Sequence, residues 1–383
     1  MKTPYRVALS MLPNMSLKKA QALLAIINGD ISLLFQDGIE KEIPQLSEAI
    51  LAELKSGQAL RRAEEELNFV ERNGIRIFFW DDEDYPARLK ACVDAPLLFY
   101  VKGDVNLDAR KTLAVVGTRK MTIEGKCQTE KLIDDLAANF PDMLIVSGLA
   151  YGVDICAHRR ALQNGLPTLA VVAHGLNNLY PSSHRGTAKE MIASGGGILS
   201  EFPKGTEAFK QHFVQRNRIV AGLCDACVVM ESPEKGGSLI TAGMARDYDR
   251  EVFAFPGRSI DEMSRGCNLL IKKQIACLAE SAEDIMREMN WEKPAAGKRL
   301  AAGAQVLQPS LFDSLSPEEN ALLKLMRAGQ KYQAQDLLDL SFAQQEGSCA
   351  RHIGEVLSML LMLEMKQAII SLPGGLYQRR PGY

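Results

Sequence analysis

Between Lys204 and Arg218 the chain carries four cations, Lys204, Lys210, Arg216 and Arg218, against one acid, Glu207. That is a local charge of +3 in a chain whose formal net charge is −2. Phe213 stands among these cations, and Asn217 sits between two arginines at an expected helix start. A cationic track for phosphates beside an aromatic face for a base is the chemistry of single-stranded nucleic-acid binding, and each aromatic–base stack is worth roughly 1–3 kcal/mol. The competing reading makes Phe213 core and the charges a solvated face. Asn217 has no obvious filler role in that reading.

Three glycine-bearing turns offer further chemistry. Val115-Val116-Gly117-Thr118-Arg119 follows an apolar run and precedes a helix that begins near Thr122. Backbone N–H groups at such a turn favour an anion, and Arg119 adds a bidentate phosphate donor. The fuller dinucleotide glycine pattern is missing. Ser147-Gly148-Leu149-Ala150-Tyr151-Gly152-Val153-Asp154 places two glycines after a strand, with His158 four residues beyond Asp154. Asp154 and His158 share a helical face, so either an acid–base pair or a structural pair fits. Lys235-Gly236-Gly237-Ser238-Leu239-Ile240-Thr241-Ala242 puts glycines, then hydroxyls, ahead of a helix. Gly237, Ser238 and Thr241 suit a phosphate cradle, though not a Walker A loop, because Lys235 precedes the glycines. The alternative is a flexible loop with Ser238 as a helix cap.

Two other clusters lead nowhere. Asp81-Asp82-Glu83-Asp84 has no carboxylate partners at a defined spacing and reads as a solvated loop. Cys224 and Cys227 form a lone Cys-x-x-Cys without a second pair, so buried thiols are expected. Neither a metal nor a cofactor is called for.

These turns need a scaffold. Apolar runs at Leu113–Val116, Leu144–Val146, Thr168–Ala173, Ile198–Leu199, Ala226–Met230 and Glu251–Phe255 alternate with helical stretches. That alternation predicts an α/β fold: an extended, Rossmann-like, mostly parallel sheet with helices on both faces. Ligands of such sheets bind at the carboxyl ends of the strands, where all three turns fall. Residues 1–72 read as a small helical domain, with Ser16 capping one helix and Gly29 ending it, and a second run from Ser47 to Arg72. Leu12-Pro13-Asn14-Met15-Ser16 lacks the glycine turn of a helix-hairpin-helix module. The α/β domain spans 73–290, and 291–312 reads as a linker rich in Ala, Gly and Pro. Residues 313–383 show three helices, one opening at Ser316-Pro317, and a hairpin around Pro373-Gly374-Gly375, the pattern of a winged helix. From 291 to 383 there are ten Lys/Arg against nine Asp/Glu. A grip on duplex DNA needs a clearly basic surface, so an accessory role is expected there.

At 383 residues, 46% of them hydrophobic, the chain can bury a core without staples. It has no apolar run long enough to span a membrane and no secretory-type N-terminus, so a cytoplasmic location is expected.

Taken in order, the motifs resemble the DNA-processing protein A family, also called Smf, of bacterial natural transformation. The matching stretches begin with Tyr85-Pro86 and Leu89, Tyr100-Val101-Lys102-Gly103, Gly117-Thr118-Arg119, Ser147 through His158, and Tyr180-Pro181. They continue with Ser200-Glu201-Phe202-Pro203, Phe213 with Arg216 through Leu223, Gly237 through Ala242, and Phe255-Pro256-Gly257. The resemblance covers roughly residues 80–280. It implies a non-enzymatic protein that binds single-stranded DNA, forms a homodimer and loads the RecA recombinase during DNA uptake. It also implies phosphate binding by Arg119, DNA contact by Lys210 and base contact by Phe213, with Arg216-Asn217-Arg218 on the family's Arg-Asn-Arg signature. His174-Gly175-Leu176-Asn177, Gly266-Cys267-Asn268 and Gln274-Ile275-Ala276 depart from the family's usual residues, and these departures fall near the sheet's end. Two other functions stay open. One is a nucleotide phosphoribohydrolase, whose loop glutamate the Lys235–Ala242 stretch lacks. The other is a pure protein scaffold.

Overall fold

The computed structural model describes residues 3–291, 316–326, 330–343, 352–366, 368–372 and 375–379. The linker expected from 291 to 312 lies, after Trp291, outside the described residues, as do Cys349 and the Pro373-Gly374 turn. The chain forms two compact units, Met1–Ala296 and Gly297–Tyr383.

The first unit is built on nine strands: β1 (Ile75–Phe79), β2 (Leu98–Gly103), β3 (Thr112–Val116), β4 (Leu144–Ser147), β5 (Thr168–Val171), β6 (Gly197–Ser200), β7 (Ala226–Val229), β8 (Glu251–Ala254) and β9 (Cys277–Leu278). Their order is β1-β2-β6-β5-β4-β3-β7-β8-β9. The seven strands from β6 to β9 pair in parallel, and β1 and β2 extend the sheet antiparallel. All six expected runs are strands. Apolar pattern missed β1, β2 and β9, because Ile75-Arg76-Ile77-Phe78-Phe79 blurs the two-residue period and β9 is two residues long.

Side-chain alternation sorts the core into two layers. Ala114 and Val116 of β3 join Val146, Val171 and Val229 against the helices Lys210–Leu223 and Gly237–Asp247. Leu113 and Val115 face the other way, with Ile145 and Val228, against the helices Ile123–Asn139 and Val153–Gln163. Every β3 residue is buried, as a central parallel strand requires.

Thr122 caps its helix by accepting from the Gly125 amide, and Ser16 likewise accepts from Lys19. The Ser47–Arg72 run is two helices, Glu48–Ser56 and Gln58–Arg72, because Gly57 takes φ 63° between them. These N-terminal helices bury Val7, Leu9, Leu34 and Val70 against one face of the β1–β2 pair, through Ile75, Phe79, Leu98 and Tyr100. The acidic quartet is only partly solvated. Arg6 lies over the Phe79 ring and pairs with Asp81 and, at 2.7 Å, with Asp82. Cys224 and Cys227 are buried free thiols.

The second unit has the helices Pro317–Leu325, Ala334–Ala343 and Ile353–Met365 and a sheet of β10 (Lys331–Gln333), β11 (Ile369–Leu372) and β12 (Leu376–Arg379), ordered β10-β12-β11. Three helices and an antiparallel β11–β12 pair stand where the sequence pattern places them. Ser316 forms a capping box with Glu319, whose carboxylate also meets Lys366 at 2.6 Å. Among the described residues no helix is long and apolar enough to cross a membrane.

One buried group ties stability to pH. His158 is fully buried, with Nδ1 2.7 Å from the Thr168 hydroxyl. That hydroxyl donates to the Ile145 carbonyl, so Nδ1–H is the donor and Nε2 has no partner among the described residues. Burial, with Arg216 and His184 nearby, pushes the imidazole from 6.5 down to about 3. The neutral ring is therefore the folded form. Its stabilisation is complete above about pH 6.5 and is lost as pH falls towards 3, by at most about 1.4 kcal/mol per pH unit. Urea unfolding at a series of pH values should show a flatter acid limb for His158→Gln than for the wild type. Superimposable limbs would mean that His158 is not closed off from water.

Candidate nucleic-acid interface

The sheet order reverses at β3. The chain steps from β3 outward to β6, then returns to the other side of β3 with β7. Loops leaving β3 and β7 diverge there and open a crevice at the strands' carboxyl ends. A cavity of about 650 Å³ fills it. Its wall takes Gly117, Thr118 and Arg119 from the β3 loop, Gly148 from the β4 loop and Asp154 from the first turn of the helix that follows it. Lys235, Gly237, Ser238 and Thr241 come from the β7 loop and the helix behind it. Lys210, Phe213, Asn217 and Val220 line it from one helix. Their spacing of three and four residues puts them on one helical face, which explains how a local cationic stretch becomes the wall of a groove.

The two loops are cross-braced. The Thr118 amide donates to the Glu231 carbonyl at 2.7 Å, and the Thr122 amide donates to the Glu231 carboxylate at 2.9 Å. Gly152, at φ 77°, lets the β4 loop press on Thr118 and Arg119; a Cβ there would lie 2.2 Å from the Thr118 carbonyl oxygen. Arg119 and Lys210 are exposed, and neither is ion-paired with a described carboxylate. The Arg119 guanidinium lies 5.1 Å from the Phe213 ring centre. The cavity thus holds free cations, a half-buried aromatic face and the N-terminus of an eleven-residue helix that starts at Gly237 with no side-chain cap. Such a helix end favours an anion.

Arg216 is the floor of this groove. It is 4% exposed and donates from Nη1 to the Val171 carbonyl at 2.8 Å. Burial lowers its pKa to about 10 and Asp154 supports its charge, so it is a cation at neutral pH. Asp154 accepts from the Gly148 and Ala150 amides at 3.1 and 3.3 Å, and burial pushes its carboxyl up. Gly148 makes the seat possible, since a Cβ there would lie 1.8 Å from Arg216 Nη1.

Comparison with known proteins agrees with this architecture. A family model described as DNA recombination-mediator protein A matches residues 76–290, more than half of the chain. The chain belongs to this family. It is 40% identical over 210 residues to DNA processing protein DprA of Streptococcus pneumoniae, covering 55% of this chain and 73% of that one. It is 31% identical over 341 residues to Protein Smf of Escherichia coli, covering 85% and 86%. Among solved structures it is similar to DNA processing protein A of Streptococcus pneumoniae, with TM-score 0.61 and 32% identity over 75% of this chain and 98% of that chain. It is also similar to DNA processing protein A of Helicobacter pylori, a structure concerned with single-stranded DNA binding, with TM-score 0.51 and 30% identity over 57% and 97%.

Within this member of the family, the expected site residues do not all reach the groove. Arg218 points away: its guanidinium pairs with the enclosed Glu201 carboxylate and donates to the Asp94 carbonyl. Ser147 is buried and donates to the Val115 carbonyl at 2.6 Å. Ser238 and Thr241 do line the groove but are nearly closed off: the Ser238 hydroxyl donates to Ser232 Oγ at 2.9 Å instead of capping its helix, and Thr241 is 3% exposed. Asp154 and His158 form no acid–base pair, since each is committed to its own partners. Spacing in the sequence does not mark three groups that the fold brings in: Lys235, which lines the cavity, Glu231, which braces the two loops, and Tyr180, whose ring meets Phe213 at 6.0 Å. A tyrosine followed by proline in a strand-end loop was the available signal for the last.

Two substitutions test this geometry. Gly148→Ala should eject Arg216 and cost about 2 kcal/mol in urea unfolding; an unchanged midpoint would mean that Arg216 does not sit on Gly148. Arg218→Ala leaves the Glu201 charge enclosed and unpaired and should cost about 3 kcal/mol. Lost oligonucleotide binding at unchanged stability would instead place Arg218 in the groove.

Proposed function

We propose that the groove binds single-stranded DNA and that the protein passes this strand to the RecA recombinase during DNA uptake, working as a homodimer in the cytoplasm. The observation that carries the reading is the Arg119–Phe213 contact, 5.1 Å from guanidinium to ring centre, on the wall of an open cavity that also holds Lys210 and Asn217. Arg119 and Lys210 offer phosphate contacts, Phe213 a base-stacking face, and Asn217 an amide that can pair with a base edge. Arg216 adds fixed charge from below without leaving its seat. A binder rather than an enzyme is favoured by Asp154, the one carboxylate on the cavity wall among the described residues, which is 7% exposed and already accepts two amides. The β9 edge, with Leu278 48% exposed, is the surface this reading gives to a second copy.

Anisotropy of a labelled oligothymidine tests the assignment. Arg119→Ala and the double change Lys210→Ala/Phe213→Ala should each weaken binding by about tenfold or more. The salt dependence should fall by about 0.7 in log–log slope for each phosphate contact removed. RecA filament assembly on the same strand should be hastened by the wild type and not by Arg119→Ala. Affinity untouched in both variants refutes the groove, and release of a free base from a nucleoside monophosphate, abolished by Asp154→Asn, would favour the hydrolase.

A further inference from the structure

We propose that the DNA path continues beyond Phe213 across a second stacking platform made by Tyr180 and Tyr151, which holds the next nucleotides of the same strand. This rests on the reading of the groove as a single-stranded DNA site and extends it to residues outside the cationic stretch.

The Tyr180 and Tyr151 rings are 49% and 47% exposed, so each offers open aromatic surface. They are continuous with the groove. The Tyr180 ring meets Phe213 edge-on at 6.0 Å. Tyr151 stands beside Gly152, whose backbone packs on Thr118 and Arg119. The Tyr151 hydroxyl lies 3.2 Å from Ser183 Oγ, three residues beyond Tyr180, so one loop joins the two rings. Both are held from behind. The Tyr180 amide donates to His174 Nε2 at 3.1 Å, and the Tyr151 ring abuts buried His184 edge-on at 4.8 Å. The Tyr151 ring is thus held by His184 and Ser183, and the Tyr180 backbone by His174 with its ring against Phe213, which lowers the ordering cost of a stack.

Charge is available on the same elements. Arg159, on the helix that follows Tyr151, and Arg185, next to His184, are exposed, and neither is in an ion pair with a described carboxylate. Cations and rings lie side by side here, with Arg119 against Phe213 and Phe213 against Tyr180, which supplies contacts of both kinds, to phosphates and to bases, that an extended single strand needs. A duplex keeps its bases paired and offers no face to these rings, so the platform selects a single strand without selecting sequence.

Anisotropy with oligothymidines of about 5 and about 15 nucleotides, the range that one binding fold covers, tests this. The wild type should gain affinity on lengthening, and Tyr151→Ala/Tyr180→Ala should reduce that gain by roughly tenfold. Tyr151→Phe/Tyr180→Phe should keep the gain, and Tyr151→Leu/Tyr180→Leu, which preserves apolar bulk for folding, should lose it. A full length-dependent gain in the alanine and leucine variants overturns the platform. If Phe213→Ala loses affinity at both lengths while the tyrosine variants match the wild type, only the platform fails. If Arg119→Ala and Lys210→Ala/Phe213→Ala change nothing at either length, the groove reading itself fails.

Discussion

The site depends on a buried arginine. Arg216 reaches from the middle of its helix across the ends of β4 and β5, donates to the Val171 carbonyl and lies against the Gly148 backbone above Asp154. A guanidinium taken out of water needs a counter-charge and acceptors, or the fold expels it. Asp154 supplies the charge, and two backbone amides hold Asp154 in place. This lock fixes the rotation of the helix Lys210–Leu223 about its axis. With Arg216 turned into the sheet, Lys210, Phe213 and Asn217 must face the crevice, and Arg218 must face Glu201.

The crevice exists because of topology. A parallel sheet that reverses its order leaves a gap between neighbouring loops, and here Glu231 braces that gap from the β7 side against Thr118 and Thr122. The brace holds Arg119 over Phe213 without drawing either into the core. An open groove with fixed walls suits a polymer that must enter from solvent and leave again.

The charge pattern shows why net charge says little about such a protein. The chain is slightly acidic overall, yet its groove is cationic. Several cations serve the fold instead: Arg218 pairs with Glu201, and Arg88 pairs with Asp225 at 2.6 Å where Asp225 also accepts the Thr112 amide at the start of β3. Arg119 and Lys210 combine a place on the cavity wall with the absence of a carboxylate partner among the described residues, which leaves their charge for a ligand.

Sequence alone determined the layered α/β sheet, the turns that carry chemistry and their place at the strand ends, because apolar runs and glycine turns are local signals. The ordered motifs also pointed to the family. Tertiary structure decided which members of Arg216-Asn217-Arg218 serve which purpose. Three consecutive residues on a helix point about 100° apart, so one faces the sheet, one the groove and one a distant carboxylate, and only the packing of the helix says which. It likewise turned the Ser147 hydroxyl inward, tied the Ser238 hydroxyl to Ser232, set Tyr180 against Phe213, and brought Lys235 to a groove whose other residues lie far away in the chain. Propensity and spacing carry no information about such long-range neighbours, because burial and hydrogen-bond partners are set by contacts that form only when the sheet closes.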